Sequence, residues 1–514
     1  MAMDFWRSST TSVVLCLMCV VGRVDVARAH SPHVEGHTPV DGQCFVDDVE
    51  ADQSTLFRRG VLRPETAHGF LQARRLRRTA QSLRAPGGAL EDPCADLGAD
   101  CAPAMAAAYA AFDGAAARGE RAGVAIVGNS LIAADRIVNV IRRRLQEQLG
   151  DGGRGLLLPD RLGTMGPRDR TASSASGWTP ATVADFEPRP EARGVPRGVG
   201  GAVFVSTGPA TSRFVVHDER SATVFAWAGP RGSGLELRAD GGRFHPVLAV
   251  QGETAQETPV LHRFLLPKGT RTIELRTLRP GAAVHGVAVE DDGGGVVVDT
   301  LGIAAADARR FLSIDAALFS QQLDARRPDL VVLMLGGNET KRLAWGRESL
   351  AELRASLSEL VRRVKPGADR SCLVVGPIDA VIGADDRNGF RTGPATANPF
   401  VERPELHKVN ALHRQIAWLE GCAFFDLYAA MGGAGSLRRL FEANALHDDL
   451  VHPKELGLAV LGQLIADALV QGWATTPDLP RDHVTSERGS AFAVSTSLDE
   501  ARVEVDQARP SKRL

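Results

Sequence analysis

Apolar residues along this chain change their period from one region to the next. Val124-Ala125-Ile126-Val127 is a short unbroken apolar run, as in a strand buried on both faces. After Ser130 the apolar positions Ile132, Ile137, Val140 and Ile141 line one face of a helix, with arginines on the other. An alanine-rich helix from Ala102 to Arg118 leads into that strand. From about 185 to 297 the period drops to two. Short alternating runs recur at Ala202 to Val205, Arg213 to His217, Thr223 to Trp227, Leu235 to Arg238, His262 to Leu266, Thr272 to Arg276 and His285 to Glu290. Gly, Pro and turn pairs such as Asp240-Gly241 separate them, which predicts a β-sandwich.

Beyond 298 strand and helix patterns alternate. Phe311 to Leu323 reads as helix, Asp329 to Leu335 as strand, and Glu348 to Val364 as helix. The strand at Ser371-Cys372-Leu373-Val374-Val375 follows, then a helix from Glu405 to Leu419 and a strand at Cys422-Ala423-Phe424-Phe425. A helix from Glu455 to Val470 closes the pattern, and Pro453 can open it at its first position. Such alternation argues an α/β fold, a doubly wound parallel sheet with helices on both faces. Within the Glu405 helix, His407 and His413 read as surface residues.

The parts are then 1–29, a signal peptide; 30–95, a weakly patterned segment; 96–184 and 298–474, two parts of one α/β domain; 185–297, the β insertion; and 475–514, a polar tail that reads as disordered. The leader rests on Arg7, an apolar core from Ser12 to Val21 and the small-residue site Ala27-Arg28-Ala29. That core is too short for a comfortable membrane span, so the expectation is a secreted, periplasmic or envelope protein with no stable membrane insertion.

Composition removes several classes. A net charge of −2 gives no bulk electrostatic reason to bind nucleic acid. No phosphate-loop motif and no convincing Cys/His zinc spacing is present, so neither metal nor organic cofactor is expected. His30, His33 and His37 read as part of a flexible tail. Past the leader, Cys94 and Cys101 bracket a short polar loop and make a plausible local disulfide, and Cys44 is left over. Cys372 and Cys422 both begin apolar strands, where they are either a disulfide across neighbouring strands or separate buried thiols.

Three blocks carry candidate chemistry. Asp449-Leu450-Val451-His452 sets a carboxylate three residues before an imidazole, a spacing at which the carboxylate can hold the ring's tautomer while the ring takes a proton from a nucleophile. Gly128-Asn129-Ser130-Leu131 puts a serine where a strand's carboxyl end meets a helix, although serine there also serves as a plain N-cap. Gly336-Gly337-Asn338-Glu339 ends the apolar run Asp329 to Leu335, where an amide can face an oxyanion or simply close a turn.

Taken in this order, the blocks resemble the SGNH (GDSL-type) hydrolase superfamily over roughly half the chain. The resemblance implies a flavodoxin-like three-layer fold, with Ser130 as nucleophile, His452 as general base and Asp449 as its orienting carboxylate. It implies an oxyanion hole built from the Ser130 amide, Asn338 and one glycine amide. Asn129 replaces the family's aspartate, and Glu339 stands where aspartate is usual. In Asp299-Thr300-Leu301-Gly302-Ile303-Ala304-Ala305-Ala306 the expected glycine aligns with Ala305, with Gly302 as the alternative. The β insertion, Gly295 to Gly302 and Phe424 to Gly433 are similar to bacterial peptidoglycan O-acetylesterases whose catalytic fold is interrupted by a carbohydrate-binding-module-like jelly roll. The implied activity is a serine esterase acting on O-acetylated carbohydrate or another small ester. Acyl transfer by the same serine, and glycan binding on a decayed hydrolase scaffold, are the competing readings. Trp178 and Trp227 could stack on sugar or pack internally.

Overall fold

The computed structural model describes residues 88–94, 102–163, 170–229, 234–248, 257–387 and 398–476, and the backbone of 494–497. The expected signal peptide, His30, His33, His37, Cys44 and Cys101 lie outside the described residues.

Helix α1 (Ala106–Arg118) leads into β1 (Arg121–Gly128), the short α2 (Ser130–Ala133) and α3 (Arg136–Leu149). Nine strands come next: β2 (Gly155–Leu157), β3 (Ser174–Thr182), β4 (Ala202–Val215), β5 (Ser221–Ala228), β6 (Leu235–Ala239), β7 (His245–Leu248), β8 (Thr258–Leu265), β9 (Thr272–Thr277) and β10 (Ala283–Glu290). The alternating pattern then resumes with β11 (Gly295–Gly302), α4 (Ala308–Leu312), α5 (Ala316–Arg326), β12 (Leu330–Met334), α6 (Gly337–Ala344), α7 (Leu350–Val364), β13 (Ser371–Val375) and α8 (Gly383–Arg387). Helix α9 (Glu405–Leu419), β14 (Ala423–Phe425), α10 (Leu427–Ala430), α11 (Ser436–Glu442) and α12 (Glu455–Thr475) complete it.

The parallel sheet has the order β11-β1-β12-β13-β14, and every neighbouring pair runs parallel. In chain order that is 2-1-3-4-5, the flavodoxin-like winding, whose direction reverses between β1 and β12. Side chains alternate between two cores, as the pleat requires. Val124 and Ile126 of β1 join Ile141, Leu458 and Ile465 on one face, while Ala125 and Val127 join Leu357, Val361 and Ile416 on the other. Helix α12 is long and apolar enough to cross a membrane, yet Leu458, Leu461 and Leu469 are buried in this core.

The strands from β2 to β10 form an antiparallel sheet that falls in sequence between α3 and β11. It starts earlier than the 185 read from the pattern, because β3 already pairs with β4 and β2 with β10. Gly177 makes a bulge in β3 and Pro180 follows, which hides the alternation there. Long β4 pairs with β10 at Phe204 and Val205 and with β9 from Ala210 to Val215. Two half-sheets therefore leave one strand in succession, and Phe204, Phe214, Phe225, Phe264 and Ile273 are buried in a shared core. Trp178 is part of that core and donates from Nε1 to the Thr211 carbonyl at 3.1 Å, so it is packing rather than a sugar platform. Trp227 packs on the small cluster of Val203, Val205 and Ala283. In the tail read as disordered, the backbone of Val494–Ser497 runs parallel to His262–Leu265, where the β8 edge offers unpaired groups.

Some boundaries moved for local reasons. The helix expected from Phe311 to Leu323 is two helices, because Asp315 caps the second by accepting from the Leu318 amide at 2.8 Å. Pro453 does not open α12, whose N-cap is Lys454; it bridges Leu446 instead. Cys372 and Cys422 form a disulfide between the β13 strand and the residue before β14. Cys94 is disulfide-bonded as well.

Candidate active site

Ser130 follows the carboxyl end of β1, Asn338 follows β12, and Ala305 follows β11, so three adjacent strands deliver three candidate groups to one edge. The edge lies at the winding reversal, where side chains from diverging loops can converge. Gly128 is required there. A Cβ on it would stand 2.4 Å from the Ile132 side chain and 2.7 Å from the Met334 carbonyl.

The serine is not the helix cap. Asn129 is: its Oδ1 accepts from the Leu131 amide at 3.1 Å. Asn129 thereby caps α2 without using the Ser130 hydroxyl. Helix α2 is a single turn, ended at Asp135, whose φ of 63° breaks the chain before α3. The long continuous helix expected after Ser130 is thus divided.

His452 and Asp449 reach the serine from the loop before α12. Asp449 Oδ1 accepts from the Val451 and His452 amides at 2.9 and 3.0 Å, and Oδ2 lies 2.6 Å from His452 Nδ1. An ionised carboxylate only accepts, so Nδ1 carries the proton and Nε2 is left to accept. Nε2 lies 3.0 Å from Ser130 Oγ. Leu450 takes a φ of 56° to make the turn, and its side chain is buried as an anchor. Desolvation pushes the Asp449 carboxyl up, but the His452 ring and the two backbone amides outweigh it and hold it well below the usual carboxylate range.

The candidate oxyanion donors are tied to one another. Asn338 sits in the first turn of α6 and donates from Nδ2 to the Ala306 carbonyl at 2.9 Å, which leaves its second amide hydrogen uncommitted. Ala305 has a φ of 61°, the left-handed conformation that favours glycine. The alignment of the expected glycine with Ala305 therefore has a physical basis, and the alanine carries the strain. Gly302 serves close packing instead: a Cβ there would lie 2.5 Å from the Ala133 amide nitrogen.

Burial at this edge gives several residues named from the sequence surroundings that the sequence did not indicate. Glu339 is buried and accepts from the Gly336 amide at 2.9 Å; burial, and then the nearby Asp307 charge, push its carboxyl up to about 7. His413, read as a surface residue, is 1% exposed and pushed down to about 4 by burial. It packs against Gly336, where a Cβ would meet its ring carbon at 2.9 Å. His407 is exposed as expected and pairs with Glu402 at 2.5 Å. Among the described residues, no group of three or more His, Cys, Asp or Glu could hold a metal ion.

Residues 269–460 match the model of the GDSL-like Lipase/Acylhydrolase family, a span that holds Asn338, Asp449 and His452. A solved peptidoglycan O-acetylesterase superposes with a TM-score of 0.58 at 20% identity, covering 73% of this chain and 98% of its own. A family two carbohydrate esterase from Cellvibrio japonicus gives a TM-score of 0.23 at 8% identity over 59% of this chain and 99% of its own. A carbohydrate binding module from a Cellvibrio mixtus lichenase gives 0.17 at 14% identity over 23% and 91%. No curated protein matches the chain. Residues 269–460 are thus similar to the GDSL-like lipase/acylhydrolase family, and the 2-1-3-4-5 parallel sheet has the SGNH hydrolase fold.

Proposed function

We propose that this protein is an exported serine esterase that removes O-acetyl groups from cell-wall or other extracellular carbohydrate. The observation that carries the reading is the hydrogen-bonded chain from Asp449 through His452 to Ser130. In this mechanism Ser130 Oγ attacks the ester carbonyl and its proton passes to His452 Nε2. The resulting oxyanion accepts from the Ser130 and Ala305 amides and from Asn338. The imidazolium gives its proton to the departing sugar oxygen, leaving acetyl-Ser130. A water, deprotonated by His452, then attacks the acetyl carbon and frees acetate and the serine.

The choice of carbohydrate draws on the similarity to the solved peptidoglycan O-acetylesterase, and export draws on the leader pattern at residues 1–29. The test is acetate release from p-nitrophenyl acetate and then from an O-acetylated glycan, wild type beside Ser130→Ala. Turnover that survives in the variant would refute the nucleophile. Turnover of the aryl ester without release from any glycan would refute the substrate class. Amino-terminal sequencing of the exported protein should begin at His30, and a retained leader would refute export by cleavage.

A further inference from the structure

The turn after β11 carries three consecutive residues with separate tasks. Ala305 holds the left-handed amide, Ala306 accepts from Asn338 at 2.9 Å, and Asp307 caps α4 through the Arg310 amide at 2.8 Å. Asp307 also meets the Arg342 guanidinium. Arg342 lies four residues after Asn338 on α6, so both project from the same face one turn apart. Beside that contact Arg342 Nε donates to Glu348 at 3.0 Å, in the segment leading to α7. Arg309 of α4 stands 3.4 Å from Glu348 and 3.6 Å from Asp307. The side chains of Asp307 and Glu348 are each 1% exposed.

We propose that Arg342 is a positioning residue for the esterase reaction: by joining Asp307 to Glu348 it clamps the Ala305–Asp307 turn onto α6 and fixes the distance between the Ala305 and Asn338 donors. The hydrogen bond from Asn338 to Ala306 is one tether between turn and helix, and the ion pair from Arg342 to Asp307 is the second. One tether permits the turn to pivot; two hold it. The second tether is needed here because Ala305 sits in a conformation that alanine resists, by about 1–2 kcal/mol. A turn freed of the clamp can relax toward negative φ and swing the Ala305 amide off the oxyanion. A planar guanidinium suits this role, since its fork can serve two carboxylates at once, which an ammonium on a flexible stem does not reproduce.

The inference rests on the esterase reading. Arg342→Gln would leave two buried carboxylates short of a partner and can fail to fold. The test therefore uses Arg342→Lys, which keeps the charge, and the double variant Arg342→Gln/Asp307→Asn, which removes the pair together. Each is assayed on p-nitrophenyl acetate and for affinity toward an aryl boronic acid, whose tetrahedral serine adduct places an oxygen in the oxyanion position. Arg370→Lys is the control; it disrupts a buried arginine contact to Asp324 before β13, at the opposite end of the sheet.

Both Arg342 variants should lose about ten- to a hundredfold in kcat with KM within about twofold, and lose boronate affinity in step. Arg370→Lys should lower Tm without either change. Folded Arg342 variants with wild-type kcat and boronate affinity would overturn the inference while leaving the esterase reading intact. So would a loss confined to KM, or failure of both variants to fold, which would make the pair a support of the fold alone. A wild type without Ser130-dependent turnover would remove the esterase reading, and this inference with it.

Discussion

His452 Nε2 lies 3.0 Å from the Ser130 hydroxyl although 322 residues of chain separate them. The antiparallel sheet accounts for much of that separation, yet it leaves the contact undisturbed because β11 returns to pair with β1 from Arg121 to Gly128 in unbroken parallel register. Chain length between the two groups therefore carries little cost once the sheet has closed.

The role of Asp449 is testable without disturbing the serine. In Asp449→Asn the side-chain amide can present its NH2 group to His452 Nδ1 and so favour the tautomer with a protonated Nε2. That nitrogen can no longer accept from Ser130. Steady-state kinetics should show kcat down about a hundred- to ten-thousandfold. A variant within threefold of wild type would remove Asp449 from the catalytic unit.

Ala305 should tolerate glycine better than anything larger. Ala305→Gly relieves left-handed strain of about 1–2 kcal/mol. It also frees the unfolded chain, at about 0.4–1 kcal/mol. The expected outcome is a Tm equal to or a few degrees above wild type, with kcat retained or raised. Ala305→Val adds β-branching at positive φ and should lower both. Thermal melts with matched kinetics decide this, and an inactive Ala305→Gly would contradict the assignment of its amide.

Glu339 makes stability depend on pH in a stated direction. Its folded carboxyl is raised to about 7 against an unfolded value near 4.5, so between those values the folded state holds a proton that the unfolded state has lost. Stability should fall as pH rises through this window and level off above it. Glu339→Gln keeps an oxygen for the Gly336 amide and removes the titration. Its Tm should change less with pH from 4.5 to 7 than that of wild type. Parallel curves for the two proteins would show that Glu339 does not titrate there.

The Cys372–Cys422 disulfide closes a loop with a sequence separation of 50. Loop-closure entropy for that length corresponds to about 4 kcal/mol. Cys372→Ala/Cys422→Ala should therefore unfold at clearly lower urea concentration. An unchanged midpoint would mean that the bridge does not stabilise the native state.

The winding of the parallel sheet was legible because β1, β12 and β13 are apolar runs between amphipathic helices, a pattern that strands buried on both faces produce directly. The β3 strand was not, since Gly177 and Pro180 interrupt its alternation. Ser130, Asp449, His452 and Asn338 could be named from short motifs because each motif is local. The Arg342 clamp could not. Asp307, Arg342 and Glu348 lie on separate elements, and no spacing along the chain records which carboxylate a guanidinium will meet.

His413 shows the same division within one helix. From sequence it is a polar residue among mixed neighbours on α9; the fold buries it against Gly336, a contact set by helix–sheet packing. The sequence by itself determined what is periodic or contiguous: the parallel strands, the strand-end serine and asparagine, and the carboxylate three residues before its histidine. Tertiary structure alone decided that Asn129 rather than Ser130 caps α2, that Ala305 is left-handed, that Cys372 meets Cys422, and that buried charges stand behind the oxyanion donors. These are relations between segments, fixed only when burial removes water and each polar group must find its partner across the fold.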